Sequence, residues 1–509
     1  MRSVLSVLFV IAFSAFSFAQ GNCGLSYEEG LQVREQMFRN RAEIPLQTIR
    51  NIQNSRFTIH IPLVIHIVGN SNGQGFVAAQ NVLGMVCRLN NDFADQNLRF
   101  YIKDSLRYLR DDLIFADAYD SLAVNRMITY KDTTALNIFT NGSAGGGVAG
   151  YYSRRGDYVF MLNSYANSNS PTITHEIGHF FTLPHTFFGW ENIDARQLHF
   201  NTPAPDSIGT DWRRREVEYV DRTGPLANCY SSADGFCDTD ADYISERAQC
   251  PLSGTALDPA GTPISPNTTL YMSYFYDDCV NNFTPEQKTA IMTSVVNRNW
   301  LFFPAPNTDS LNWTAITHSI PADVSQVQVQ DSISFQWNVQ GVGPAQKYIL
   351  FVERLIFGTP VGVVYNGITG SSNTFKLPSN LFINSATYRW QVMPYSNGFT
   401  CAGFSNPTTF TVQMPVSIQN ISDVPQFSVN PNPVKGDQIN IFYKLTEETE
   451  LSFRILSADG KIISSAPFNT EPAAEHFTTI NTSNLPNGIY IIQMISKNGI
   501  QSNKIEIIR

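Results

Sequence analysis

Past its first twenty residues, this 509-residue chain has no apolar run long enough to cross a bilayer, so an internal membrane span is excluded. Basic residues are in deficit: 34 Lys and Arg stand against 43 Asp and Glu, for a formal charge of -9 and no basic patch. That balance excludes a nucleic-acid partner and mildly favours bound cations. The glycine-rich stretch Gly142-Ser143-Ala144-Gly145-Gly146-Gly147 is followed by no Lys-Ser/Thr and opens no helix, which excludes a phosphate loop. A loop leading into a strand is the economical reading. Cysteines number only seven, an odd count, so at least one has no partner within the chain.

The N-terminus has the pattern of a signal peptide over residues 1–19. Arg2 supplies the charge, Val4 to Phe18 the apolar stretch, and Ser17-Phe18-Ala19 the small residues before a cut. No cysteine follows at the position of a lipid anchor. The mature chain is therefore expected to be exported, with no transmembrane segment, in a setting that permits disulfides. Residues 20–56 are polar, with a helical pattern from Tyr27 to Asn40, and read as a pro-segment. Residues 57–305 alternate strand and helix signals: a strand at Phe57–Val68, a helix around Val77–Phe93, and strands near Leu98–Ile102, Leu136–Phe139 and Tyr158–Leu162. This predicts an α/β domain with a twisted sheet. His60 and His66 fall in the first strand and read as ordinary strand residues. Residues 315–415 have the short alternating runs of an immunoglobulin or fibronectin III-like β-sandwich, with core tryptophans. Residues 425–509 form a second all-β module, with a turn at Asp459-Gly460.

The chemistry concentrates at His175-Glu176-Ile177-Gly178-His179-Phe180-Phe181-Thr182-Leu183-Pro184-His185. Two histidines four apart share one helix face and can hold one metal ion. His185 supplies a third nitrogen just past the helix. Three protein ligands leave one zinc position open, the arrangement of a catalytic site. Glu176 lies where it can polarise a water. A Met-turn candidate follows at Tyr271-Met272-Ser273-Tyr274. The pattern is that of the metzincin zinc peptidases.

Together with Asp278-Cys279 and Asn282-Phe283-Thr284-Pro285-Glu286-Gln287, these motifs resemble the pappalysin family of metzincins, over roughly residues 57–300. The last module, through Asn430-Pro431-Asn432-Pro433, Asp459-Gly460-Lys461 and Leu485-Pro486-Asn487-Gly488-Ile489-Tyr490, resembles the type A sorting domain of the Bacteroidota type IX secretion system. The resemblance implies a metzincin-like α/β catalytic domain followed by two all-β modules. It further implies a zinc endopeptidase acting on protein or peptide substrates, exported through the periplasm to the cell surface or medium by the type IX machinery. His175, His179 and His185 would bind zinc, and Glu176 would be the general base toward a zinc-activated water. Met272 would form an apolar floor under the metal, and Tyr274 would hydrogen-bond the developing oxyanion.

Finer expectations follow from the same likeness. Asp278 would sit at the base of the pocket for the residue after the cut bond and select Arg or Lys, with Asp277 as the competing carboxylate. Asp234, Asp238 and Thr239 resemble the family's calcium segment. Cys250 is expected to pair with Cys279, and Cys229 with Cys237, although spacing leaves connectivity open. Cys23 would fill the open zinc position and keep the enzyme latent until a cut before Arg50 or Arg56; a Cys23–Cys87 disulfide is the alternative. Thr182 stands where the metzincin motif has Gly, which predicts another backbone conformation there or a strained turn. It also motivates a competing reading, a surface adhesion protein with an impaired peptidase core, which the intact Glu176 disfavours. A non-peptidase zinc hydrolase is disfavoured by the Met-turn and the third histidine.

Overall fold

A computed structural model describes residues 22–509 except 56, 146, 192, 194–201, 210–213, 255, 299–305, 307–308, 330, 341–344, 346, 415–425 and 497–498. The signal-peptide stretch, Arg56 and the linker 416–424 lie outside the described residues. The chain divides into two compact units: 1–327 with 331–412, and 328–330 with 413–509.

The first unit begins with strand β1 (Asn22–Cys23), followed by helices α1 (Tyr27–Glu43) and α2 (Leu46–Asn54). Helix α1 starts where a reciprocal cap permits it: Ser26 Oγ accepts from the Glu29 N–H, and Glu29 accepts from the Ser26 N–H. Strand β2 (Ile59–Gly69), α3 (Ala79–Asp92), β3 (Leu98–Ile102) and β4 (Arg107–Arg110) come next. Then follow α4 (Asp112–Ala116), α5 (Ser121–Tyr130), β5 (Leu136–Asn141), β6 (Val148–Ser153) and β7 (Tyr158–Leu162). The sheet runs β1-β6-β7-β5-β2-β3, with β4 beside β2. Strand β6 is antiparallel to β7, whereas β7, β5, β2 and β3 are parallel. β2 reads as a mostly apolar run rich in Ile and Val, rather than an alternating one, because it is buried on both faces. His66 within it is buried, stacked on Phe139 and bonded to Asn137 at 3.1 Å.

Helix α6 (Thr172–Phe180) carries the histidine motif. After a short pair, β8 (Ser207–Ile208) and β9 (Arg215–Glu216), loops lead to α7 (Pro285–Asn297). The Thr284-Pro285-Glu286-Gln287 motif starts α7: Thr284 and Gln287 form a capping box, and Pro285 takes the first turn, where no N–H is needed. Val33, Met37 and Ile49 of the N-terminal helices belong to the same hydrophobic core as Ile65, Ile177 and Ile291. The expected pro-segment is thus packed into the catalytic body.

Strands β10 (Ile316–Ile320), β12 (Ser332–Val339) and β15 (Thr374–Pro378) make one sheet of a β-sandwich. The other has the order β11 (Ser325–Gln328), β17 (Thr408–Gln413), β16 (Thr387–Tyr395), β13 (Lys347–Ile356) and β14 (Thr359–Gly370). Trp337 and Trp390 are fully buried in it, as expected of core residues. The sandwich is bolted to the catalytic sheet. Ile102 N–H on β3 donates to the Asn397 carbonyl at 2.8 Å, the Asn397 side chain donates to the Asp104 carbonyl at 3.0 Å, and Cys87 on α3 is bonded to Cys401. Cys87 is therefore not the partner of Cys23.

The second unit has two antiparallel sheets. One is β18 (Gln426–Asn430), β19 (Gln438–Lys444) and β23 (Glu475–Asn481). The other has β20 (Thr449–Ser457) paired with β21 (Ile462–Ser465), β22 (Asn469–Glu471) and β24 (Gly488–Ser496), and β24 paired with β25 (Gly499–Ile507). Ile439, Ile441, Ile492, Met494 and Ile505 fill its core.

The Cys87–Cys401 link closes a loop of 314 residues, so it constrains the unfolded chain strongly. Replacing both with Ser is expected to destabilise the first unit by about 2–4 kcal/mol. A fall in the denaturation midpoint under non-reducing conditions measures it; an unchanged midpoint would mean that the sandwich is held without the link.

Candidate active site

Helix α6 is buried along its length, and its end sets the site. The Nδ1–H of His175 donates to the Tyr271 carbonyl at 2.6 Å, and the Nδ1–H of His179 donates to the Leu183 carbonyl at 2.7 Å. A carbonyl can only accept, so each Nδ1 carries the proton and each Nε2 presents a lone pair. The three Nε2 atoms converge: His179 to His175 is 3.1 Å, and His179 to His185 is 3.2 Å. The facing lone pairs of His175 and His179 have no favourable arrangement without a cation between them, and three converging imidazole nitrogens suit zinc. Burial pushes His175 down to about 3 and His179 well below the usual histidine range, so neutral, metal-ready rings are favoured.

Glu176 is fully buried, with Oε1 unpartnered and Oε2 accepting from the Cys23 thiol at 3.5 Å. Burial pushes its carboxyl up to about 8. Cys23 is the one described cysteine outside a disulfide, and its Sγ lies within 4.8 Å of the ligand nitrogens of all three histidines. The thiol is placed by β1, which pairs in parallel with β6 through Cys23 and Gly150. The Tyr274 hydroxyl donates to the Cys23 carbonyl at 3.3 Å, and its ring packs edge-on against His185.

The turn after α6 answers the question posed by Thr182. Its φ is +71°, so the β-branched residue does adopt the left-handed conformation that glycine would take. The turn is closed by Leu183 N–H to the Gly178 carbonyl at 2.9 Å, and the Thr182 hydroxyl is buried without a partner. Met272 lies under α6: a Cβ on Gly178 would meet its sulfur at 2.3 Å, so this glycine of the motif is required by close approach. The Met272 carbonyl accepts from Thr186 N–H at 3.1 Å.

The other expected residues are placed unevenly. Cys229–Cys237 and Cys250–Cys279 are bonded as expected. Asp234 and Thr239 come together at 3.1 Å, but Asp238 turns away to cap α7 through the Glu286 N–H at 2.8 Å. The carboxylate beside Asp234 is Glu218: each is buried with one unpartnered oxygen, and burial pushes both up. Asp278 is exposed, and the carboxylate that lines the cleft beside His175 is Asp277. Asp278, expected at the base of the pocket, is exposed and does not line this cleft, whereas Asp277 does.

Known proteins can now be set beside this geometry. Residues 428–508 match the secretion system C-terminal sorting domain. An extracellular metalloprotease of Colletotrichum graminicola is 25% identical over 253 residues, 46% of this chain and 74% of the relative. One of Neurospora crassa is 26% identical over 301 residues, 54% of this chain and 88% of the relative. The chain is a secreted zinc metallopeptidase. Its C-terminal sorting domain addresses it to the type IX secretion machinery. Among solved structures, a mutant promirolysin of Tannerella forsythia is matched over 56% of this chain and all of that one, at 18% identity and a TM-score of 0.34.

Four residues of the metallopeptidase gave no signal in sequence spacing. Glu191 Oε1, buried and otherwise unpartnered, lies 3.8 Å from His185 Nδ1. Asp242 accepts from Thr186 Oγ1 at 2.6 Å and steadies the segment after His185. Glu218 and Arg247 reach their sites from loops that only the fold brings in.

Replacing Thr182 by Gly is expected to relieve left-handed strain of about 1–3 kcal/mol, less about 0.5–1 kcal/mol for the freer unfolded chain. Thermal unfolding of the zinc-loaded enzyme should register a higher midpoint; a lower one would show that the turn is not strained. Gly178→Ala should cost about 1–3 kcal/mol by pushing against Met272, with weaker zinc retention in chelator competition.

Proposed function

We propose that the metallopeptidase is an endopeptidase made latent by its N-terminal segment, with Glu176 as general base. The observation that carries this reading is the meeting of three histidine Nε2 atoms, the Glu176 carboxyl and the Cys23 thiol at one place. Bound there by His175, His179 and His185, zinc supplies Lewis-acid polarisation of the scissile carbonyl and the attacking water. Glu176 takes the proton of that water and passes it to the leaving amine. The Tyr274 hydroxyl donates to the oxyanion once Cys23 has left. Met272 holds the ligands from below by packing alone.

Latency follows from position. The Cys23 thiol, beside the three histidine nitrogens, would hold zinc in place of the water, and β1 covers the β6 edge, where an extended peptide would otherwise pair. Arg34 and Arg41 of α1 fasten the segment by donating to the Ser231, Ser232 and Gly235 carbonyls. A cut before the exposed Arg50, or before Arg56, frees it. Preference for Arg or Lys after the cut bond is assigned to Asp277 rather than Asp278.

Calcium is proposed at Asp234, with Glu218 as its partner and Thr239 beside it. Two buried carboxylates with orphaned oxygens are a fit for a hard cation. Asp238 is left out of this set because it caps α7.

The test is cleavage-site mapping on a denatured proteome, after limited trypsin treatment and trypsin inactivation. Glu176→Ala should lower kcat/KM by about 10²–10⁴ or more, and Cys23→Ala should be active before any trypsin. Cuts that persist in Glu176→Ala would remove the base assignment; a silent Cys23→Ala would remove the latency one. Calcium should raise the thermal midpoint of the wild type and not of Asp234→Asn. Equal shifts in both would place the ion elsewhere.

A further inference from the structure

The cleft carboxylate already has an occupant from within the chain. Asp277 Oδ1 accepts from Arg247 Nη2, and Oδ2 accepts from Ser170 Oγ at 3.2 Å. Ser170 is itself held by Thr172 Oγ1 at 2.8 Å, at the start of α6. The Arg247 and Asp277 side chains are each 20% exposed, so the pair is shielded without being sealed off. Both line the same cavity as Thr172, His175, Tyr271 and Val280. The Arg247 guanidinium also lies 5.9 Å from the Tyr276 ring. A carboxylate that pairs with an internal arginine presents almost no net charge to a ligand. A second cation brought to it must push the first aside or sit beside it, and like charges side by side disfavour binding.

We propose that Arg247 is a specificity-determining residue, seated on Asp277 so that a substrate arginine or lysine after the cut bond must compete with it for that carboxylate. This rests on the assignment of the Asp277 pocket above. The pair weakens the preference of the wild-type pocket for a basic residue without abolishing it: neutral side chains enter without leaving a bare buried carboxylate, and basic ones gain only the difference between their own pairing and the one they displace. The chain thus carries its own substitute for the ligand, at the position where a substrate's charge would be read.

The test uses the full chain after trypsin activation, with peptides identical except for Arg or Leu after the scissile bond. Arg247→Gln is expected to raise the Arg-over-Leu ratio of kcat/KM by about tenfold or more, chiefly through KM, and Asp277→Asn to lower it. Arg247→Lys should stay near the wild type, because it keeps the charge. An unchanged or lower ratio in Arg247→Gln overturns the proposal and makes the pair a structural strut. The same comparison is made by calorimetry in a Glu176→Ala background, with a peptide whose first residue is Arg. Tighter binding on Arg247→Gln supports the competition, and equal or weaker binding overturns it. This second arm needs no turnover, so a failure of the peptidase reading and a failure of this proposal give different results.

Discussion

Everything in the site depends on two backbone carbonyls. By accepting from Nδ1 of His175 and His179, the Tyr271 and Leu183 carbonyls fix which nitrogen of each ring is free and where it points. Leu183 can reach back only because the chain reverses at Thr182, and Tyr271 can reach in only because Gly178 lets the Met272 segment press against α6. The ligand set is therefore a property of three segments packed together, not of the helix alone. Asp242 extends the same logic outward by accepting from Thr186 beside His185, while Glu191 Oε1 lies near His185 Nδ1 at 3.8 Å.

The N-terminal segment is built on the same plan of borrowed partners. β1 pairs with the edge of β6, the Cys23 Sγ lies within 4.8 Å of the three histidine nitrogens, and Arg34 and Arg41 donate to carbonyls of the loop that contains Asp234. Arg247 does so at Asp277. In each case a polar or charged group of one segment is satisfied by a segment distant in sequence.

Much of this was legible in the sequence, for physical reasons. Histidines at i and i+4 share a face in any helix, and the β2 and α3 periodicities are strong because those elements bury whole faces. Thr182 was legible as a problem because few residues accept positive φ. The carboxylates were not. Asp277 and Asp278 are adjacent and chemically equal, and only the turn around the Cys250–Cys279 bond decides which one faces the cleft. Asp238 carried the right residue type for an ion but was taken up by the dipole at the start of α7. Glu218 and Arg247 act across tertiary contacts that no spacing records. The sandwich read as a separate module because its strands alternate well by themselves; its attachment runs through a backbone bond of Ile102 to Asn397, the Asn397 side chain and the Cys87–Cys401 bond, a pairing that spacing alone does not assign.

That attachment bears on how the molecule comes into being. Strand β3 stays an open sheet edge, and Cys87 an idle thiol, until residues near 400 have been made. Such distant pairings slow folding, because the chain must close a long loop before the contact rewards it. The joining of the sandwich to the catalytic sheet is thus expected late in folding, after contacts closer in sequence, such as those of α3 with β3, have formed.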